Sequence, residues 1–168
     1  IFLTVLNSHL LSSEYSTYLS GRCIAINMLP LSFSEFLYFN DFEVKEIKII
    51  TNIDESATFI ADYKWQLEAL TNILKNAIEH SRQSSKIYIT VENTSLFLKI
   101  KIQDEGQGIS KKDLKHIFER FYKGKNSSEN SIGIGLALAK KIIEKDNGYI
   151  IVDSVSGKGS TFTIKYFK

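Results

Sequence analysis

The sequence predicts an α+β fold, in which two amphipathic helices cover one sheet as a two-layer α/β sandwich. From residue 46 onward, stretches that alternate between apolar and polar residues, as strands do, flank two stretches with helical periodicity. The helical stretches span residues 62–81 and 136–145. With 168 residues, of which 43% are hydrophobic, the chain is long enough to bury the core of one ordinary domain.

The composition excludes several classes of protein. The 21 basic and 19 acidic residues leave a net charge of +2, too little for a general nucleic-acid or membrane partner. The single cysteine, Cys23, excludes an internal disulfide and a multi-cysteine metal site, and it is compatible with a cytoplasmic location. No apolar run approaches the roughly 18–20 residues that span a bilayer. Since the chain begins at Ile1 without a basic leader, we interpret it as a segment of a longer protein.

The first 45 residues differ in character from the rest, and we predict a boundary between residues 45 and 46. They contain two short strand candidates, at 1–6 and 23–28, and a short aromatic helix candidate after Pro30. This segment resembles a fragment of a AAA-type ATPase family. The resemblance rests on Thr4, Asn7-Ser8, Leu10-Leu11-Ser12, Gly21-Arg22 and Pro30-Leu31-Ser32-Phe33-Ser34-Glu35-Phe36.

The AAA-type resemblance implies that Asn7 is a nucleotide-sensing residue and Arg22 a candidate arginine finger. The phosphate loop and the acidic magnesium motif of that family are absent from this chain. We therefore expect residues 1–40 to contribute no chemistry, within an N-terminal segment over residues 1–45 that precedes a separate domain over residues 46–168.

The first regular elements of that domain are a strand at 47–53 and a helix at 62–81. Asn72, Asn76 and His80 form a row at positions i, i+4 and i+8 of this helix. The apolar stripe beside the row is predicted to face the core, and it consists of Leu67, Leu70, Leu74, Ala77 and Ile78.

The remaining elements alternate between strands and turns. Strands at 86–91 and 96–103 are expected to pair, and strands at 149–155 and 160–167 to form a closing hairpin. Ser110 and Asp113 have the spacing of a loose capping box for a short helix through Phe118. A polar loop or lid is predicted over 121–131, and a helix over 136–145 that ends near Asn147-Gly148.

Two glycine pairs suggest a ligand that carries phosphate. Gly106, Gly108, Gly133 and Gly135 are four of only nine glycines, and each pair precedes a predicted helix. Glycine lets the backbone approach a ligand closely, and the unpaired N–H groups at the start of a helix attract anions. A nucleotide site is therefore the first hypothesis.

Five motifs, in order and spacing, resemble the ATP-binding catalytic domain of sensor histidine kinases, within the GHKL superfamily, over about residues 46–168. They are an asparagine motif, a first glycine motif, an aromatic motif, a second glycine motif and a closing glycine turn. Their sequences are Asn72-Ile73-Leu74-Lys75-Asn76-Ala77-Ile78-Glu79-His80, Asp104-Glu105-Gly106-Gln107-Gly108-Ile109, Ile117-Phe118-Glu119-Arg120-Phe121-Tyr122, Gly133-Ile134-Gly135-Leu136-Ala137-Leu138 and Gly157-Lys158-Gly159-Ser160-Thr161-Phe162.

The resemblance places the adenine base at the first glycine motif. A carboxylate at Asp104 can accept the exocyclic amine of adenine, which guanine lacks, whereas the alternative is an aspartate that only caps its own turn. Gly106, Gly108 and Ile109 would pass close to the base. Gly157, Gly159 and Thr161 are expected to support this end of the site, with Thr161 in the nucleotide-binding set.

The asparagine motif implies the magnesium end of the site. Asn76 would hold Mg²⁺ through its amide oxygen, a ligand type that this ion accepts. Asn72 would lie beside the phosphates, and His80 would stack on the adenine. The alternatives are two solvated asparagines and a half-exposed histidine without a role. Many members of the family have a basic residue at the position of Glu79, which puts a phosphate role for Glu79 in doubt.

The second glycine motif and the lid imply phosphate contacts. Backbone N–H groups near Gly133, Gly135 and Leu136 should face the phosphates. Among the lid cations, Lys123 is expected to reach the γ-phosphate, and a solvated surface role is the alternative. The other lid cations are Arg120 and Lys125. Two aromatic residues, Phe118 and Phe121, are expected to anchor the lid to the core, and Phe121 is also assigned to the nucleotide-binding set.

Asn72 separates this chain from hydrolytic members of the superfamily, which have a glutamate there to activate water. An amide cannot act as a general base at neutral pH, so we predict negligible ATP hydrolysis. His9 lacks the sequence context of a phosphoacceptor, and His80 and His116 lie inside the catalytic domain.

The resulting hypothesis is a catalytic domain that binds ATP and Mg²⁺ and phosphorylates a histidine on another chain. A response regulator would be an indirect partner, and we expect a monomer. The alternative is a non-catalytic nucleotide-binding module or an inert gene-fusion remnant.

Overall fold

One five-stranded sheet carries two helices in the computed structural model, which describes residues 24–25, 47–54, 56–124 and 132–168. The strands and helices in chain order are β1 (Ile24–Ala25), β2 (Lys48–Ile53), β3 (Thr58–Phe59), α1 (Tyr63–His80), β4 (Lys86–Asn93), β5 (Phe97–Asp104), α2 (Gly135–Lys145), β6 (Gly148–Val155) and β7 (Gly159–Phe167). A short 3-10 turn, Asp113–Lys115, precedes the second glycine motif. No described helix is long and apolar enough to cross a membrane.

The main sheet has the strand order β2-β4-β5-β7-β6. Strand β2 runs parallel to β4, and the other neighbours are antiparallel. The predicted pairing of 86–91 with 96–103 is confirmed, as is the closing hairpin. Strand β1, inside the strand predicted at 23–28, pairs with β3 in a separate two-stranded sheet. The other predictions for residues 1–46 lie outside the described part of the chain.

Alternation along the strands puts one face of the sheet into the core. Ile87, Ile89 and Val91 of β4 are at most 3% exposed, whereas Tyr88 and Thr90 between them are only partly buried. Apolar residues of α1, and Ala139, Ile142 and Ile143 of α2, belong to the same buried cluster as this face, and the two helices also pack against each other. The predicted mixed α/β architecture is confirmed.

Helix α1 matches its predicted limits, because Asp62 caps it. The Asp62 carboxylate accepts hydrogen bonds from the backbone N–H groups of Lys64 (3.0 Å) and Trp65 (3.3 Å). One member of the predicted core stripe is wrong, since Leu67 is 47% exposed. The helix is covered by both the sheet and α2, so its buried face is broader than the stripe and also includes Ala69, Ile73 and Gln66.

Gln66 is the polar residue of this face and bridges three elements. Its side-chain oxygen accepts a hydrogen bond from the hydroxyl of Tyr166 on β7, and its Nε2 donates to Asp146 at the end of α2 (2.6 Å). Burial raises the pKa of Tyr166, so its hydroxyl stays a donor at neutral pH. The buried amide is thus satisfied on both sides.

The connection between β5 and α2 begins with the predicted capping pair. The hydroxyl of Ser110 donates to Asp113 (2.8 Å) and accepts from the backbone N–H of Asp113 (3.2 Å). The helix that follows is only the 3-10 turn, shorter than predicted. Helix α2 and its end at Asn147, which has φ +56°, agree with the prediction.

Candidate functional site

A cleft of about 480 Å³ opens between α1 and the segment that leads into α2. It is lined by residues of α1, of the aromatic motif and of the second glycine motif. They are Glu68, Asn72, Lys75, Asn76, Glu79, His80, Ile117, Tyr122, Ile132, Gly133, Ile134, Gly135, Leu136 and Leu138. Motifs that are far apart in the sequence therefore meet in one place.

The predicted row on α1 forms one wall of the cleft. Asn72, Asn76 and His80 are all half-buried and line it on successive turns. The side-chain amide nitrogen of Asn72 donates to the backbone oxygen of Glu68 (2.9 Å) and to its carboxylate (3.0 Å). His80 Nδ1 lies 2.8 Å from Nε2 of Gln107, which joins the row to the first glycine motif.

The second glycine motif forms the opposite wall. Gly133 has φ +74°, and a Cβ there would lie 2.5 Å from the backbone oxygen of Tyr122. A Cβ on Gly135 would lie 3.0 Å from Oδ1 of Asn72. The backbone at the start of α2 thus passes directly beside the asparagine row, where unpaired N–H groups of a helix can meet an anion.

Asp104, at the end of β5, is a buried carboxylate behind His80. It is 3% exposed, and its Oδ1 accepts hydrogen bonds from the backbone N–H groups of Gly106 (2.8 Å) and Ser160 (3.2 Å). Burial raises the pKa of Asp104, and the two N–H groups oppose that shift. Both of these bonds fall on Oδ1.

The first glycine motif is held by close backbone packing around Asp104. A Cβ on Gly106 would lie 2.2 Å from the carbonyl oxygen of His80, and a Cβ on Gly108 would lie 2.1 Å from that of Val155. A Cβ on Gly159 would lie 2.1 Å from the backbone oxygen of Asp104. The Ile109 N–H donates to Ser154 (2.8 Å).

The structure brings together part of the predicted set. Asn72, Asn76, His80, Gly133, Gly135 and Leu136 line the cleft. Asp104, Gly106, Gly108 and Ile109 lie around the turn that adjoins its His80 end and are outside the lining. Thr161 lies on β7 between Ser160 and Phe162, which are both buried, whereas Thr161 is only partly buried. Of these three residues, Ser160 is the one whose N–H contacts Asp104.

The lid residues are more exposed than the rest of the set. Lys123 and Arg120 are exposed and do not line the cleft, and Lys125 lies outside the described residues. Phe118 packs against the core as predicted. The predicted anchoring by the Phe121 side chain is wrong, because that side chain is 69% exposed. The backbone of Phe121, at φ +65°, joins the aromatic motif to the second glycine motif instead. Its N–H donates a hydrogen bond to the backbone oxygen of Gly133 (2.8 Å).

Several lining residues are missing from the predicted set. Glu68 is one turn before Asn72, so extending the i, i+4 row backward would have found it. Tyr122 ends the aromatic motif, and its hydroxyl donates to Asp113 (2.7 Å), whose carboxylate raises the pKa of Tyr122. The apolar residues Ile117 and Leu138 belong to the aromatic and second glycine motifs but were assigned no contact, and Ile132 lies outside the five motifs.

The protein-family comparison matches residues 61–168 to a family described as histidine kinase-, DNA gyrase B-, and HSP90-like ATPase. The sensor histidine kinase YvrG of Bacillus subtilis is 32% identical over 117 residues, which are 68% of this chain and 20% of YvrG. The heme sensor protein HssS of Staphylococcus saprophyticus is 42% identical over 101 residues, 60% of this chain and 22% of HssS. The chain thus spans about a fifth of the length of these two relatives.

A solved structure of the catalytic domain of the histidine kinase ThkA, in a nucleotide-free form, has the same fold. It superposes with a TM-score of 0.67 at 25% sequence identity, and the match covers 82% of this chain and 88% of the ThkA chain.

Proposed function

Because this chain belongs to the histidine kinase-, DNA gyrase B- and HSP90-like ATPase family, we propose that it binds ATP with Mg²⁺ as the catalytic domain of a sensor histidine kinase. One observation carries the proposal: the asparagine row of α1 faces the glycine-rich start of α2 across a cleft of about 480 Å³. This volume is in the range of small-molecule sites. The buried carboxylate of Asp104 adjoins the other end.

The end of the cleft near His80 is proposed to bind adenine. Oδ2 of Asp104 can accept the exocyclic amine of adenine, whereas guanine presents a carbonyl oxygen there and would leave a buried carboxylate without a donor. Gly106 and Gly108 have no room for a side chain, so the backbone at this end is fixed. His80, half-buried and 2.8 Å from Nε2 of Gln107, is proposed to stack on the base.

The opposite end is proposed to hold the phosphates and Mg²⁺. The start of α2 offers backbone N–H groups, and Asn76 offers an amide oxygen, the ligand type that suits a magnesium ion shared with phosphate. A magnesium ion bound there would neutralise charge on the phosphates. The residues present fit this pair, because a Cβ at Gly135 would lie 3.0 Å from Oδ1 of Asn72, so a side chain there would narrow the space between the two walls.

The proposed reaction transfers the γ-phosphoryl group of ATP to a histidine of another chain. The bond between the γ-phosphorus and the bridging oxygen breaks, ADP leaves, and a ring nitrogen of the incoming histidine bonds to phosphorus and loses a proton. The chain's own contribution is to position the nucleotide and to neutralise its charge. Lys123, exposed on the lid, is proposed to reach the γ-phosphate once nucleotide is bound.

Hydrolysis of ATP by the chain alone is proposed to be negligible. Asn72 lines the end of the cleft that is proposed to hold the phosphates, and an amide cannot take a proton from water at neutral pH. A response regulator that receives the phosphoryl group from the histidine is the expected indirect partner. We also propose that the catalytic domain begins at residue 46 and that residues 1–45 form a separate segment.

Calorimetric titration with ATP and GTP, with and without Mg²⁺, tests the nucleotide site. We expect magnesium-dependent binding of ATP, weaker binding of GTP, and a ten- to hundredfold loss of ATP affinity in Asp104→Asn, roughly 1.5–3 kcal/mol for one charged hydrogen bond. Asp153→Asn, an exposed carboxylate on β6, is the matched control. A folded protein that binds neither nucleotide would refute the proposal and favour an inert remnant.

The kinase step needs a second assay, in which labelled ATP is mixed with the chain and a separate phosphoacceptor hairpin. Label on the hairpin, and little free phosphate without it, would support transfer. Binding without transfer to any hairpin would favour a non-catalytic nucleotide-binding module.

A further inference from the structure

Glu68 is a carboxylate in the cleft that the proposed function has not used. It lies one helical turn before Asn72, lines the same wall, and is itself exposed to solvent. The amide nitrogen of Asn72 donates to two acceptors of this one residue, the backbone oxygen at 2.9 Å and the carboxylate at 3.0 Å. Glu68 therefore holds both hydrogens of that amide.

These two contacts fix which end of the Asn72 amide faces the cleft. A flipped amide would place its oxygen against a carbonyl and a carboxylate, two acceptors, and would lose both hydrogen bonds. The oxygen Oδ1 consequently points toward the start of α2, where a Cβ on Gly135 would lie 3.0 Å from it. Asn72 presents an acceptor to the cleft, and its donors are turned away.

An acceptor at this place suits a cation better than a phosphate. Phosphate oxygens are acceptors, so they gain nothing from Oδ1 of Asn72, whereas Mg²⁺ and its water molecules bind amide oxygens. Asn76, one turn further along the same wall, offers a second oxygen of the same kind.

We infer that Glu68 is a positioning residue, which orients Asn72 so that Asn72 and Asn76 together present oxygens to the magnesium ion and its water molecules. This inference rests on the proposed function, because it assigns the two asparagines to the cation of the same nucleotide site. Its specific content is that the hydrogen bond from Asn72 to Glu68, rather than the negative charge of Glu68 alone, sets the magnesium dependence of ATP binding.

The test compares Glu68→Ala, which removes the side-chain acceptor and leaves the backbone one, with Glu68→Gln, which keeps a side-chain acceptor oxygen and removes the charge. For each variant the ratio of ATP affinities with Mg²⁺ and with a chelator is measured by calorimetry. We expect Glu68→Ala to reduce this ratio about three- to tenfold without changing binding in chelator, and Glu68→Gln to retain most of it. Glu144→Gln, an exposed carboxylate near the end of α2, is the control.

Equal ratios in the wild type and Glu68→Ala would overturn the inference, and so would equal losses in the alanine and glutamine variants, since charge alone would then act. A second readout is independent of nucleotide. The side-chain amide resonances of Asn72, assigned by their absence in Asn72→Ala, should shift in Glu68→Ala and remain close to wild type in Glu68→Gln.

The two readouts separate this inference from the proposed function. A wild type that binds no ATP refutes the proposed function and, with it, the role of Glu68 toward magnesium. If ATP binds and the Asn72 resonances do not respond to Glu68→Ala, the proposed function stands and the positioning role is overturned.

Discussion

Gly106 touches the backbone of His80, so that a Cβ on Gly106 would lie 2.2 Å from the carbonyl oxygen of His80 and 2.7 Å from Oδ1 of Asp104. The contact joins the end of α1 to the turn after β5. No side-chain rotation can relieve a collision with a carbonyl of the main chain, so these two elements keep their distance only if residue 106 is glycine.

The first prediction concerns this contact. Gly106→Ala should lower the free energy of unfolding by about 2–3 kcal/mol and weaken ATP binding, because the turn must move away from His80. Urea unfolding and calorimetry measure the two effects. Gly157→Ala is the matched control: it has φ +83° and nothing within 4 Å of its Cβ, so it should cost only about 1 kcal/mol. Equal losses in both variants would contradict a steric origin.

Asp104→Asn should not destabilise the folded chain at neutral pH, although it weakens ATP binding. The amide keeps an oxygen for the N–H groups of Gly106 and Ser160 and removes a buried charge. Because burial raises the pKa of Asp104, its carboxyl favours folding most below its ordinary value of 3.8, and this contribution is lost as the pH rises through the folded pKa.

The difference in stability between Asp104→Asn and wild type should therefore be largest at neutral pH and shrink on acidification. Thermal unfolding followed by circular dichroism over that range measures it. If Asp104→Asn is less stable than wild type at pH 7, and the stability difference between them does not shrink on acidification, the carboxylate itself stabilises this turn.

Tyr166→Phe should lower the free energy of unfolding by about 1–3 kcal/mol, because it leaves the side-chain oxygen of Gln66 buried without its donor. The ring and its stacking on Phe59, with centroids 4.4 Å apart, are retained. Urea unfolding measures the loss, and ATP affinity should not change. Tyr149→Phe removes a hydroxyl from the other face of the sheet and should have a smaller effect.

Tyr122→Phe should weaken ATP binding about two- to fivefold, because the hydroxyl that ties this wall of the cleft to Asp113 is lost. The carboxylate of Asp113 raises the pKa of Tyr122 above the ordinary 10.0, so the hydrogen bond is present through neutral pH and is lost only as the pH rises through the raised value. Affinities of wild type and variant that coincide at pH 7 would exclude a role for this contact.

Local pattern was sufficient for most of the fold. The alternation in β4 to β7 and the helical periodicity of residues 62–81 predict the paired strands and the limits of α1, because these features depend on neighbours in sequence. The helical periodicity predicts Leu67 in the core, where the structure exposes it, and gives no sign that Gln66 is buried. The partner of Gln66 is Tyr166, 100 residues away, and no periodicity within α1 can reveal it.

In the candidate site, too, the features that depend on neighbours in sequence are predictable, and those that depend on distant residues are not. Asn72, Asn76 and His80 could be placed on one wall because helical spacing puts them there. Asp104 could be located at a strand end, but its burial depends on Ser160 and Gly159, which β7 brings against it. Lys123 remains a prediction, because its exposed position does not show what it contacts when nucleotide is bound.

The parallel pairing of β2 with β4 has a mechanical consequence. The chain enters the main sheet at β2, where the N–H of Lys48 donates to the backbone oxygen of Ser85. The next residue, Lys86, pairs with Lys48 and donates its own N–H to Glu105, beside Asp104. Tension along β2 loads all six residue pairs of this ladder in shear, so they share the load rather than opening one after another. The point where the chain enters the main sheet therefore resists pulling along β2.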